Sequence, residues 1–368
     1  MASRETQQGL FFRMHIDFSL LMGIIVLVIV GQVILYSASG ENIAMMQRQG
    51  IRLGIAFFVM LTLAQISPDT MRRWSPLIFL AGILMLVAVL LVGTKVLGAQ
   101  RWLNLGLFRI QPSEMMKLAV PMMLAWFLAG GNIPPTKKRL LGALIILLLP
   151  VLLIAKQPDL GTSLLVTCAG LFVIFMSGVS WKLIFAFIIA GVTFSIPMWF
   201  FLMRDYQRQR VLTMFSPESD PLGSGYHIIQ SKIAIGSGGS YGKGWLNGTQ
   251  SHLEFLPERH TDFIFSVFSE EFGYSGVLVL LAIYLLIILR GIYITTQAHG
   301  TFSRLLGSSI ILTFLIYIFV NIGMVSGILP VVGVPLPLVS YGGTSVVTLM
   351  AGFGILMSIH THRKLLAH

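Results

Sequence analysis

A single cysteine, Cys168, excludes an intrachain disulfide framework and any multi-cysteine metal site in this chain of 368 residues. Charge is scarce too. Charged residues make up 11% of the chain against 55% hydrophobic, and the mean hydropathy of +0.85 excludes an ordinary soluble domain. Acids are the rarer sign, 14 against 25 Lys and Arg, leaving a net charge of +11. That excess is dispersed over loops between apolar runs, so anionic lipid headgroups are the expected partner and nucleic acid is not. No small-residue cleavage site follows a short hydrophobic core, so the first apolar run is read as a retained span, not a signal peptide. The segment Gly236-Ser237-Gly238-Gly239-Ser240-Tyr241-Gly242-Lys243-Gly244 looks like a phosphate cradle but fails the P-loop pattern, because Gly244 follows Lys243 and no glycine stands five residues before Gly242. A tight glycine-permitted turn is its expected role.

What is present is a series of apolar runs near 16–37, 50–67, 74–94, 113–129, 139–155, 161–178, 181–202, 263–294, 305–329 and 340–360. Each is long enough for a hydrocarbon core of about 30 Å. In lipid the backbone must satisfy its own hydrogen bonds, and runs of this length predict helices, not barrel strands. The expected fold is an all-α integral membrane protein, one polytopic domain over 1–368 with ten transmembrane helices. Lys and Arg in short loops, Arg72-Arg73 and Lys137-Lys138-Arg139 among them, favour cytoplasmic tails at 1–15 and 361–368. The loop at 203–261, between helices seven and eight, is then large and extracytoplasmic.

Eight of the fourteen acids fall between Asp205 and Glu271, in or beside that loop. Asp262 sits at its border with the next apolar run, where a carboxyl is partly desolvated yet still reaches water, as suits a general base. An acid interacting with the helix dipole is the plainer alternative. Glu114 and Lys117 stand three apart on a helix starting near Pro112, one face bearing both. A structural ion pair is one reading; the cost of intramembrane charge, about 2.5–3.5 kcal/mol per residue, favours a functional one. Arg204-Asp205-Tyr206-Gln207-Arg208-Gln209-Arg210 offers guanidiniums suited to phosphate or to lipid headgroups. Arg48, Arg52, Arg101, Arg109 and Asp159 map to the same exterior side. Asn321, Pro330, Pro335 and Pro337 mark interrupted backbone that shapes a cavity wall or ends a helix. His360-Thr361-His362 with His368 is a weak metal signal at a chain end.

Five separated motifs carry a resemblance over essentially the whole chain: Ala99-Gln100-Arg101-Trp102, Gln111-Pro112-Ser113-Glu114, Gln157-Pro158-Asp159-Leu160-Gly161-Thr162, Pro257-Glu258-Arg259-His260-Thr261-Asp262-Phe263 and Pro335-Leu336-Pro337-Leu338-Val339-Ser340-Tyr341-Gly342-Gly343. Together they resemble the SEDS family (shape, elongation, division, sporulation). The resemblance implies a peptidoglycan glycosyltransferase polymerising lipid II at the outer face of the cytoplasmic membrane. Asp262 matches the family aspartate expected to act as base. Glu114, Lys117, Arg48, Arg101, Arg109, Asp159, Gln207, Arg210, His260 and Ser340 are the supporting or substrate-binding candidates. A divalent cation, Mg²⁺ or Mn²⁺, would involve Asp262 or Glu114, and no organic cofactor is expected. The implied partners are a class B penicillin-binding protein and membrane proteins of the rod complex. A lipid flippase or transporter and a non-catalytic scaffold are the competing classes.

Overall fold

The computed structural model describes residues 15–362 apart from 97–98, 105–108, 204, 221–222 and 253–257. The two expected tails lie almost wholly outside the described residues, as do Arg204, Pro257 and His368. Every one of the ten apolar runs is occupied by a helix. In chain order these begin α1 (Phe18–Ala38), α2 (Ile43–Gln65) and α3 (Pro68–Val92), then a small sheet of β1 (Thr94–Val96), β2 (Ala99–Asn104) and β3 (Arg109–Ile110). They continue with α4 (Pro112–Ala129), α5 (Lys137–Lys156), α6 (Leu160–Met176) and α7 (Trp181–Pro197), the last extended by a π-helical turn over Met198–Leu202. The 203–261 segment holds α8 (Asp205–Phe215), a 3₁₀ turn at Pro217–Ser219, α9 (Ser224–Ser237) and the short α10 (Thr249–His252). The chain closes with α11 (Ile264–Thr296), α12 (Thr301–Val325) and α13 (Thr344–Thr361). Helices α1, α3, α5, α11, α12 and α13 are long and apolar enough to cross a membrane, and the protein is a multi-pass membrane protein.

Three boundaries differ from the hydropathy reading. Helix α2 starts at Ile43, not near 50, because Asn42 caps it by accepting from the Met45 amide at 3.0 Å. Arg48, expected in the loop before the helix, is therefore a helical residue. The expected loop at 95–112 contains the antiparallel order β1-β2-β3, held by main-chain hydrogen bonds between neighbouring strands. The third difference is a break in α11 at Gly273 (φ 63°, ψ −166°). The glycine-rich turn fills that break. Lys243 and Gly244 donate main-chain hydrogen bonds to the carbonyls of Glu270 and Glu271 (3.0 Å each), and Tyr274 and Ser275 donate to Gly239 (2.9 Å) and Ser240 (3.0 Å). The backbone groups freed by the break thus find partners in another segment, as apolar surroundings require.

Glu270 and Glu271 lie at this junction and are both buried. Glu270 pairs with Lys243 at 2.7 Å and accepts from Thr249 at 3.0 Å, while Glu271 accepts from the Ser37 hydroxyl of α1. They fasten the loop to the bundle. At the opposite end of the bundle Asp17 caps α1 through the Leu20 amide (2.8 Å) and pairs with Arg290 (2.6 Å) and His360 (3.4 Å). His362 stacks on His15 with ring centres 4.0 Å apart. Two of the three histidines singled out near the C-terminus, His360 and His362, are thereby engaged with the start of α1.

Candidate functional site

Helix α4 begins at Pro112, whose missing N–H costs nothing at a first helical position. Its first two turns bring Glu114 and Lys117 together, Nζ to Oε1 2.6 Å, both side chains buried. The Lys117 ammonium also lies 5.0 Å from the centre of the Tyr317 ring on α12. Above this pair, Asp159 caps α6 and accepts from Gln111 at 3.1 Å. Arg101 on β2 donates to the Pro158 carbonyl at 2.5 Å, with its other terminal nitrogen 3.7 Å from Asp159. Arg101, Asp159, Gln111, Glu114 and Lys117 therefore form one polar column descending into the bundle.

Asp262 stands two residues before α11, half-buried. Its turn is held by the 330–341 segment: Ser340 donates its hydroxyl to the Thr261 carbonyl at 2.6 Å, and the Tyr341 amide donates to His260 at 2.9 Å. From α12, the Asn321 side chain donates to the carbonyl of Asp262 at 2.9 Å and of Val334 at 2.7 Å. Burial pushes the Asp262 carboxyl up to about 6; Glu258 adds to the rise and Arg210 opposes it. The cation that counters the acid is Arg210, on α8, rather than the sequence neighbour Arg259, whose guanidinium lies 3.7 Å from the position a side chain would take at Gly40.

Four successive residues join the two halves. The Val331 carbonyl accepts from Arg210 at 3.1 Å. Val332 packs so closely on Gly161 of α6 that a Cβ there would meet it at 2.9 Å, and a Cβ on Gly333 would lie 3.4 Å from Asp262 Oδ2. Val334 accepts from Asn321 and packs with Tyr317 and Leu165 in a small buried cluster. An extended segment between α12 and α13 is thus the wall shared by the acid and the column.

The predicted residues divide accordingly. Asp262, Arg210, His260 and Ser340 meet at the wall, and Arg101, Asp159, Glu114 and Lys117 form the column. Gln207 is buried one turn before Arg210. Arg48 is exposed and directs its Nε to the Ala44 carbonyl of its own helix at 3.2 Å, so it joins neither group. Arg109 belongs to β3, and its side chain lies outside the described residues. Arg208 donates to the Trp199 (2.8 Å) and Phe200 (2.9 Å) carbonyls, sealing the π-helical turn. Gln111 in the column and Asn321 behind the wall were not among the site candidates, and three more residues join them. Arg52 lies 4.5 Å above the Tyr341 ring, which His260 meets edge-on at 5.9 Å. His227 on α9 stacks on Phe263 at 5.7 Å, and burial holds its imidazole below the ordinary range against the pull of Glu258 and Asp220. Tyr317, four residues from Asn321 in an apolar run, was legible only as helical spacing.

A protein-family profile described as "Cell cycle protein" (FtsW, RodA, SpoVE) matches residues 10–365. The chain is 53% identical to peptidoglycan glycosyltransferase MrdB of Escherichia coli strain K12, over 100% of this chain and 99% of that protein. It is 33% identical to peptidoglycan glycosyltransferase RodA of Treponema pallidum, over 94% and 98%. Among solved structures, a chain of a peptidoglycan synthase complex that coordinates polymerization and crosslinking superposes with a TM-score of 0.82 at 33% identity, covering 95% of this chain and 98% of that one. The rod shape determining protein RodA of Thermus thermophilus superposes with a TM-score of 0.72 at 28% identity, covering 95% and 98%. The shared fold, the full-length identity and the ordered motifs agree: this chain belongs to the SEDS family of FtsW-, RodA- and SpoVE-type membrane proteins.

Proposed function

We propose that the chain is a peptidoglycan glycosyltransferase that polymerises lipid II into β-1,4 glycan strands during cell elongation and maintenance of rod shape. The observation that carries this reading is the Asp262 carboxyl, half-buried at the mouth of α11 and pushed up to about 6, with Arg210 beside it. A base titrating just below neutral pH is largely ionised at working pH and still basic enough to take a proton in a transition state. In the proposed step the acceptor sugar hydroxyl attacks the anomeric carbon of the growing chain. Asp262 takes the hydroxyl proton while the bond to undecaprenyl pyrophosphate breaks. The departing pyrophosphate carries the negative charge that Arg210, Arg101 and Lys117 stabilise. His260, Ser340 and Gln207 support the wall and its approach.

The orientation belongs to the same proposal: both termini cytoplasmic, with Asp262 at the outer face. A class B penicillin-binding protein would crosslink the strands made here, within the rod complex. Among the described residues no group of three or more His, Cys, Asp or Glu is arranged to hold a metal ion, and Glu114 engages Lys117 through Oε1 while its buried Oε2 has no hydrogen-bond partner. A dedicated metal cage does not fit these residues, and no step is assigned to one. Any Mg²⁺ or Mn²⁺ would be held chiefly by the substrate's phosphates, with Asp262 or Glu114 as the carboxylate ligand.

The test is reconstitution of the purified protein in vesicles with labelled lipid II, with and without the penicillin-binding partner. Glycan polymer, lost in Asp262→Asn, is expected. Translocation without polymer would instead identify a flippase, and neither product would identify a scaffold.

A further inference from the structure

Asn321 is fully buried on α12, where a lone amide in an apolar helix has no water to satisfy it. Its nitrogen spends its donors on two main-chain carbonyls, Asp262 at 2.9 Å and Val334 at 2.7 Å, which belong to separate loops. The orientation of the amide follows from these partners: turned over, it would set its oxygen against two carbonyl oxygens. Two further bonds join the same loops, from Ser340 to Thr261 and from Tyr341 to His260. Those two run loop to loop. The Asn321 bonds reach both loops from α12, and together with the link of Asp262 to α11 and the Tyr284 hydroxyl donating to the Pro337 carbonyl (2.7 Å) they set how deep the Asp262 main chain sits relative to the bundle. One turn earlier on the same helix face, Tyr317 lies against Lys117. A single face of α12 therefore references both the acid and the buried ion pair.

We propose that Asn321 is a positioning residue for Asp262, clamping its main chain at the depth from which the carboxyl reaches the sugar hydroxyl; this rests on the reading of Asp262 as the base. Without the clamp the 258–263 turn moves outward and takes the carboxyl away from the hydroxyl it must reach. A displacement of about 1 Å costs on the order of 100-fold in rate, and the loss belongs in kcat because Asn321 touches no substrate.

The test compares wild type with Asn321→Leu, which keeps the volume and removes both donors, and Asn321→Ser, which keeps one. Two readouts are taken on each purified, full-length variant: hydrogen exchange of the amides at 258–263 and 333–336, and the kcat and KM of lipid II polymerisation. Faster exchange confined to those two segments and a kcat loss well above any KM change are expected, with serine intermediate. Unchanged exchange at Thr261–Phe263, or an activity loss that falls mainly on KM, would overturn the proposal. So would failure of both variants to fold, since packing alone then explains the residue. Activity retained in Asp262→Asn would defeat the base assignment, whereas the exchange result reports on the clamp by itself.

Discussion

A Cβ on Gly273 would overlap the backbone nitrogen of Gly242, and one on Gly242 would overlap the carbonyl of Glu271. Both residues have positive φ, 63° and 80°. The broken helix and the glycine-rich turn are two sides of one main-chain contact. Gly273→Ala and Gly242→Ala should each destabilise the protein by about 1–3 kcal/mol, the range for backbone strain. Because they disrupt the same contact, the double variant should lose less than the sum of the two. Thermal unfolding of the four proteins in detergent measures this, and additive losses would refute a shared contact.

The buried pair of Glu114 and Lys117 gives a second expectation. Lys117→Met leaves a carboxylate buried without its cation and should cost about 3–5 kcal/mol. Glu114→Gln combined with Lys117→Met removes both charges and should recover most of that stability while remaining inactive in polymerisation. Recovery of activity in the double variant would make the pair purely structural.

Arg210 and Glu258 should move the pH dependence of polymerisation in opposite directions. Arg210 lowers the Asp262 carboxyl and Glu258 raises it. Arg210→Met should therefore carry the acidic limb of kcat/KM above about 6, and Glu258→Gln should carry it below. Limbs that move together would reject Asp262 as the group observed.

Stability against pH tests the same carboxyl without catalysis. Its folded value, about 6, lies above the unfolded value of 3.8. Between these values the folded state binds more protons, so stability falls as pH rises through the window and stays lower above it. Asp262→Asn lacks this penalty and should melt at a higher temperature than wild type at pH 8, with the difference closing near pH 4. The ceiling is about 3 kcal/mol, and partial access of the carboxyl to water reduces it. Identical melting curves at pH 8 would refute the raised value.

Chelation forms a separate test. If the cation comes with the substrate phosphates, polymerisation should fall on addition of a chelator and return with Mg²⁺ or Mn²⁺, while melting of the substrate-free protein stays unchanged. A chelator-induced drop in melting temperature would demonstrate a resident ion.

The helical architecture was legible in the amino-acid sequence because lipid makes a local demand: about 20 apolar residues, whichever neighbours they meet. Asp262, Glu114 and Lys117 were legible for a related reason, since a charge in or against an apolar run stands out. Local order alone also set the N-cap at Asn42, although hydropathy passed over it and started α2 seven residues late. Tertiary structure decided what contacts between distant segments decide. Glu270 and Glu271 mark the place of the break in α11 but do not reveal it, because its cause is the distant turn at Gly239–Gly244 that occupies the vacated hydrogen bonds. Arg210 rather than Arg259 became the cation beside Asp262, Arg48 was left outside both clusters, and Arg52, His227 and Tyr317 were brought in. Sequence thus determined which residues the membrane would find expensive to hold, and the fold determined which of them meet, because hydrogen bonds and charge pairs are short-ranged in space and indifferent to separation along the chain.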